Sequence, residues 1–469
     1  MQPSLNKGTL QRMDSEERFQ EQPFGCLQQK QPHCCHPLEE TSSRVGLHAT
    51  LPWTMRSCED GSAHLGSCGE AAAFRSREEA LSTRSYPSPV SLRGADLLLD
   101  QLYGLLQCLF NIGALQRLAT PCLEALEANT RNCESRQEKY FTPLMLVRAF
   151  KRLDAVYRLS SRSFAPPSRN ECRNLLNLAQ IFASRQRLRL LTLDGDETLY
   201  PNGENFCHEE MGRNIAQLLR KGVAVAVVTG AGYGYEAEKY AVRLGILLTI
   251  FAQERLPPKA TRRFFLMGGE SNYLLRLSSS LKLEPVPEEL WRGYRPPIEA
   301  ADCERLLDVS ERSLVLLSKD LGLEGNVIRK QRAVGLVPRD DATNKVRFGC
   351  VDNKGMHKES LEEGVMRVRR DIRAAFGGDC PVPYSVFTGG CDIWVDAGNK
   401  AEGVALLQGL LKLKPEHCLH VGDQFDLVGN DLAARICSPT LWIRNPKETA
   451  AVIWELLQAD SENEEESSP

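Results

Sequence analysis

Leu188-Arg189-Leu190-Leu191-Thr192-Leu193-Asp194-Gly195-Asp196-Glu197-Thr198-Leu199-Tyr200 is the stretch on which the fold turns. The apolar run 188–193 gives way abruptly to acidic residues, the mark of a short parallel strand buried on both faces. Working outward, residues 208–219 have helical spacing closed by Lys221-Gly222, and 223–228 read as a second buried strand. Residues 235–244 form a second helix stopped by Gly245, and 247–251 read as a third strand. Strand and helix alternate, which predicts an α/β fold built on a doubly wound parallel sheet.

Farther out the alternation loosens between residues 281 and 376, where helical patterns occupy 298–321 and 360–375; this predicts an inserted α/β cap domain. The sheet is expected to resume with a strand at 393–395, a helix at 400–411 and strands at 418–421 and 441–443. Upstream, helical spacing at 95–118, 122–128 and 164–181 predicts a helical N-terminal region. Residues 1–92 are polar with no sustained period and read as a disordered extension. The expected organisation is therefore 1–92 extension, 93–186 helical region, 187–280 first part of the core, 281–376 cap, 377–458 second part of the core and 459–469 acidic tail.

Composition narrows the function. The chain has 469 residues, 42% hydrophobic and 25% charged, which suits a folded multidomain protein. A formal charge of −3 and the lack of a basic stripe with interleaved aromatics argue against a nucleic-acid partner. No apolar run approaches the roughly 20 residues of a membrane span, and no signal peptide is recognisable, so a cytoplasmic protein is expected. Sixteen cysteines are then read as thiols. Cys34-Cys35, flanked by His33 and His36, lacks zinc-ligand spacing.

In open α/β sheets ligands sit beyond the carboxyl ends of the strands. The first strand ends in Asp194 and Asp196, two carboxylates suited to separate tasks: one attacks phosphorus, the other moves protons at the bridging oxygen. The second ends in Thr229-Gly230-Ala231-Gly232, where a hydroxyl and backbone N–H groups can hold a phosphoryl oxygen. Lys400 follows Asp396-Ala397-Gly398-Asn399 and offers a cation against the nucleophile and the transferring group. Asp392, Trp394 and Asp396 share one strand face. After the next strand, Asp423 joins Asp194 and the Asp196 carbonyl as oxygen ligands for Mg2+, with Asp426 or Asp431 behind them. Nucleophile, proton carrier, metal and cation at one point are the parts that phosphomonoester hydrolysis requires. Phe387, Trp394, Tyr200 and Phe425 are candidates for an aromatic platform under a base.

These four segments resemble the motifs of the haloacid dehalogenase-like phosphatases. More narrowly, residues 192–200, Val228-Thr229-Gly230-Ala231-Gly232-Tyr233, the Gly389-Gly390…Lys400 segment and Gly422-Asp423-Gln424-Phe425 with Gly429-Asn430-Asp431 resemble the IMP-specific 5′-nucleotidases, as do Pro166-Pro167-Ser168 and residues 176–181. The resemblance implies Mg2+-dependent hydrolysis of IMP to inosine and phosphate. It implies Asp194 as nucleophile, Asp196 as proton donor and Asp423 as metal ligand. Substrate contacts are then expected from Asp194, Asp196, Asn202, Thr229, Gly230, Asp396 and Lys400, and metal contacts from Asp194, Asp196 and Asp423. It further implies a homotetramer and activation by ATP through the helical region. Asn202 stands where the family often has an acidic residue, and Asn174 where a histidine is usual. A phosphosugar phosphatase or phosphomutase uses the same motifs, and a catalytically dead nucleotide-binding regulator would keep the fold; the complete acidic set argues against the latter.

Overall fold

The computed structural model describes residues 97–132, 141–293, 298–339 and 356–458. The N-terminal extension with Cys34-Cys35 and the acidic tail lie outside the described residues. Helices α1 (Leu97–Asn111), α2 (Leu115–Asn132), α3 (Leu146–Tyr157) and α4 (Arg169–Ser184) build the helical region. Their leucines, among them Leu99, Leu102, Leu106, Leu123 and Leu175, share one apolar core. Helix α4 begins at a capping box: the Ser168 hydroxyl accepts from the Glu171 N–H, and Glu171 accepts from the Ser168 N–H. Most of α4 is buried, since it packs against both the other helices and the edge of the sheet beyond.

The alternating part begins with β1 (Leu190–Leu193), α5 (Glu209–Arg220), β2 (Ala224–Val228) and α6 (Ala237–Leu244). Residues 247–251, expected as a strand, instead lie in helix α7 (Leu247–Gln253). A short apolar run does not distinguish strand from buried helix, and here Leu247, Ile250 and Phe251 face inward at helical spacing. The third strand is β3 (Phe264–Gly268), wholly buried, followed by the antiparallel strands β4 (Tyr273–Leu277) and β5 (Leu283–Pro285).

The insert contains α8 (Ala300–Asp320), β6 (Gly325–Arg329), β7 (Ala333–Pro338), α9 (Lys358–Ala375), β8 (Tyr384–Thr388) and β9 (Ile393–Ala397). Strands β6-β7-β9-β8 form an antiparallel four-stranded sheet. The strand at 393–395 therefore does not return to the core sheet as expected. It lies in the insert between β7 and β8, and the insert's sheet runs to Ala397. A strand's partners are not written in its own residues, and this one has the alternation of a sheet with one covered face. Helices α8 and α9 cover that face, burying Leu306, Leu314, Val365 and Val368.

The chain re-enters the core through α10 (Lys400–Leu411), β10 (Cys418–Gly422), β11 (Thr440–Trp442) and α11 (Pro446–Leu457). The seven-stranded sheet has the order β11-β10-β1-β2-β3-β4-β5, parallel from β11 to β3. Strand β1 lies at its topological switch point, with β10 on one side and β2 on the other, so their carboxyl ends open one crevice. Among the described residues no helix is long and apolar enough to cross a membrane.

Candidate active site

Register brings the predicted residues together. Leu193 pairs with Val421 of β10 and Val227 of β2, so Asp194, Asp423 and Thr229 leave adjacent strands at nearly one level. Two glycines permit the close packing. A Cβ on Gly195 would meet the Tyr200 hydroxyl at 2.6 Å, and one on Gly422 would meet the Asp431 carboxyl at 2.2 Å. Gly195 is thus required for close approach, not for a left-handed turn.

Lys400 is fully buried at the first turn of α10, where the helix dipole disfavours a cation. Carboxylates hold it there: its Nζ lies 2.9 Å from Asp194 Oδ1 and 2.5 Å from Asp431 Oδ1. Burial lowers the lysine's pKa, but Asp194, Asp431 and Glu270 outweigh it and keep the side chain charged. Asp431 also receives His420 Nε2 at 2.9 Å and the Gln424 N–H at 2.9 Å. Burial raises Asp431, yet Lys400 and His420 hold it below the usual carboxylate range. Burial lowers the pKa of His420 against the pull of Asp431, and its Nδ1 lies 2.9 Å from the Thr192 hydroxyl. In the neutral ring with the proton on Nε2, that N–H donates to Asp431 and Nδ1 accepts from Thr192.

Asp194, Asp423 and Asp431 each offer a carboxylate oxygen, and these atoms lie within 4.8 Å of one another. Burial pushes Asp423 up, and the neighbouring Asp194 and Asp431 push it further. Burial likewise raises Asp194, against the pull of Lys400. Of the two residues named as support for Asp423, Asp431 joins this cluster; Asp426 instead accepts from the Val428 N–H. The Asp196 carboxylate stands apart, taking Arg243 Nη2 at 2.5 Å and the Gly203 N–H at 3.1 Å on Oδ1.

These groups open into a cavity of about 500 Å³ between core and insert, within the range of small-ligand sites. Thr229, Gly230 and Asn202 line it, with the Thr229 Oγ1 accepting from the Ala231 N–H. Asn202 also donates to the Gly389 carbonyl at 3.3 Å, tying the flap after β1 to the insert. Asp392, Trp394 and Asp396 face it as the strand period required. Burial pushes Asp396 up to about 7, and its Oδ2 has no partner among the described residues. Of the four aromatics proposed as a platform, Phe387 and Trp394 line the cavity. Phe425 is buried beside His420 and Trp442, and Tyr200 is buried under the Arg243 guanidinium.

Several lining residues carry no sequence signal of their own. Arg243 comes from α6, and Lys330 and Arg332 from the β6–β7 turn, where Lys330 lies 4.3 Å above the Trp394 ring. Glu270, in the β3–β4 turn, is buried and accepts from Asn430 at 2.9 Å; burial pushes it up to about 8. His420 alone had a signal, as a titratable residue inside an apolar strand.

Comparison with known proteins gives the same reading. The family model described as IMP-specific 5′-nucleotidase matches residues 134–453. The IMP-specific 5′-nucleotidase 1 of Plasmodium falciparum is 41% identical over 322 residues, covering 68% of this chain and 70% of that protein. Its Saccharomyces cerevisiae counterpart is 37% identical, covering 68% and 76%. The IMP-bound structure of a P. falciparum IMP-nucleotidase mutant superposes with a TM-score of 0.73 at 36% identity, covering 80% of this chain and all of that one. The ATP-bound P. falciparum enzyme gives a TM-score of 0.70 at 37% identity, covering 79% and 87%. With the family model spanning more than half of its residues, the chain belongs to the IMP-specific 5′-nucleotidase family.

Proposed function

We propose that this chain hydrolyses IMP to inosine and phosphate through an aspartyl-phosphate on Asp194. The observation that carries this reading is the Asp194–Lys400–Asp431 cluster with Asp423, set at the switch point under a nucleotide-sized cavity. An Asp194 oxygen attacks phosphorus and the P–O5′ bond breaks. Asp196 gives its proton to the departing 5′-oxygen, which leaves as inosine. A water then attacks the aspartyl-phosphate, Asp196 takes its proton, and phosphate departs as the Asp194 carboxylate is restored. Lys400 offsets the charge on Asp194 and on the phosphoryl group. Thr229 and the Gly230 N–H orient the phosphoryl oxygens, while Asn202 and Asp396 face the rest of the nucleotide.

The residues present fit a divalent cation. Two buried carboxylates, Asp194 and Asp431, share Lys400 with the half-buried Asp423 beside them, and the Asp423 Oδ1 atom has no hydrogen-bond partner among the described residues. All the donors are oxygen, the ligand set of Mg2+. Asp194, Asp423 and the Asp196 carbonyl would hold it, with Asp431 behind them, and it would add charge neutralisation at the phosphoryl group. ATP is carried over as a ligand from the ATP-bound relative, and its role as an activator acting through the helical region from the family resemblance.

The test is phosphate release from a panel of nucleoside monophosphates and hexose phosphates, with Mg2+ and with excess EDTA. Metal-dependent preference for IMP is expected. Preference for a hexose phosphate would overturn the substrate and leave the chemistry. No release from any of them would leave a nucleotide-binding regulator.

Arg243 and the Gly203 N–H both hold one Asp196 oxygen, Oδ1, and so fix the carboxyl group assigned to proton transfer. Arg243→Gln is expected to lower kcat by about 10- to 100-fold, less than the full 10²–10⁴ of an acid–base group. Stability should change by under ~1 kcal/mol, because the pair is partly exposed. An unchanged kcat would remove Arg243 from the mechanism.

A further inference from the structure

Trp442 ends β11, the edge strand beside β10. Its indole Nε1 donates to the backbone carbonyl of Asp423 at 2.8 Å. That fixes the backbone from which the Asp423 carboxylate projects, while the carboxylate's own Oδ1 has no partner among the described residues. The indole is held laterally by Phe425, which packs in turn near His420, the partner of Asp431.

Trp442 is itself gripped from outside the core. An edge strand would leave its outward N–H and C=O unpaired. Here the side-chain amide of Asn177, on α4, substitutes for a neighbouring strand. Its Oδ1 accepts from the Trp442 N–H at 3.1 Å, and its Nδ2 donates to the Trp442 carbonyl at 2.6 Å. Arg173, one turn earlier, donates to the same carbonyl and pairs with Glu448 of α11 at 2.8 Å. Asn177 and Arg173 are both buried, so water does not readily replace these contacts.

We infer that Trp442 and Asn177 are positioning residues for Asp423, a relay by which helix α4 of the N-terminal region sets the geometry of the metal-binding aspartate. The inference rests on the metal reading proposed above. Groups behind a metal ligand fix its orientation, and their loss typically costs about 10- to 100-fold in metal affinity. The relay also explains the placement of a doubly hydrogen-bonded asparagine in the middle of a buried helix, where its helix propensity is unfavourable.

The test measures Mn2+ binding directly, by counting free Mn2+ with electron paramagnetic resonance in titrations of the full-length chain. Mn2+ takes the same oxygen donors as Mg2+. Trp442→Phe keeps the ring and deletes the N–H. It is expected to weaken Mn2+ binding by about 10- to 100-fold, with the KM for IMP at saturating metal essentially unchanged. Asn177→Asp keeps the acceptor toward the Trp442 N–H and sets a carboxylate oxygen against its carbonyl. It should weaken Mn2+ binding in the same direction, by less, and serves if Trp442→Phe does not fold. Wild-type affinity in the folded variants overturns the relay, whatever their melting temperatures. Absence of Mn2+ binding in the wild type overturns the metal reading beneath it, and the relay with it.

Discussion

Asp194→Asn is expected to reduce phosphate release by roughly 10⁴-fold or more, the scale on which loss of a covalent nucleophile is felt, while leaving the protein folded and able to bind IMP. An amide nitrogen and a neutral amide oxygen do not attack phosphorus at a useful rate, and no other carboxylate is placed to substitute. Asp423 and Asp431 leave a neighbouring strand and loop, and Asp431 is already committed to Lys400, His420 and the Gln424 N–H. Folding should survive because the change relieves as much as it removes. Burial already raises the pKa of Asp194, so a neutral group of the same shape is tolerated there. Lys400 keeps Asp431 as its partner. Because residue 194 precedes Gly195, intact mass should be checked for deamidation back to aspartate. A few per cent of wild-type turnover in undeamidated protein would rule out Asp194 as the nucleophile.

The residues of this cluster were legible in the sequence for a physical reason. Buried parallel strands read as unbroken apolar runs, so the polar residues that end them stand out: Asp194 after 190–193, Thr229 after 224–228 and Asp423 after 418–422. Their common crevice followed from the sheet rule alone. The sequence was less informative where one pattern suits two structures. Residues 247–251 satisfy both a strand and a buried helix, whereas the true third strand at 264–268 sits behind the short helix Pro258–Thr261 and went unread. The Asp396–Lys400 segment shows a subtler failure. Its residues were identified, but Asp396 belongs to the insert's sheet and Lys400 to the first turn of a core helix. The segment therefore spans the junction between the two parts, which makes the cavity a property of both. For the same reason Lys330 and Arg332 carry no local signal: each is an ordinary surface-type cation until the insert lies over the core, whereas Arg243 is placed by core helix α6 against Asp196 and Tyr200. The Asn177–Trp442 contact joins residues 265 apart, and nothing in either local pattern announces it.

Lys400→Met should show the second large effect, and on two observables at once. A buried ammonium balancing Asp194 and Asp431, near Asp423 and Glu270, is replaced by an apolar side chain of similar length, leaving those carboxylates uncompensated. Breaking a buried pair from one side costs about 3–5 kcal/mol, and proton uptake by the stranded carboxylates would moderate it. The pH dependence has a definite sign. In the wild type Lys400 helps hold the pKa of Asp431 below its unfolded value, so that pairing stabilises the fold above the ordinary carboxylate range and is lost as pH falls through the depressed folded value. The gap in melting temperature between wild type and Lys400→Met should therefore be full at neutral pH and narrow in acid. Added Mg2+ should close part of it, since a second cation then occupies the carboxylate cluster. Turnover at saturating Mg2+ should still fall by about 10²–10³, the loss typical of one preorganised charge-stabilising group. The two observables separate the roles assigned to this lysine. Lost stability with unchanged kcat would reduce it to a structural counter-ion, and unchanged stability would show that the buried carboxylates are balanced by something else.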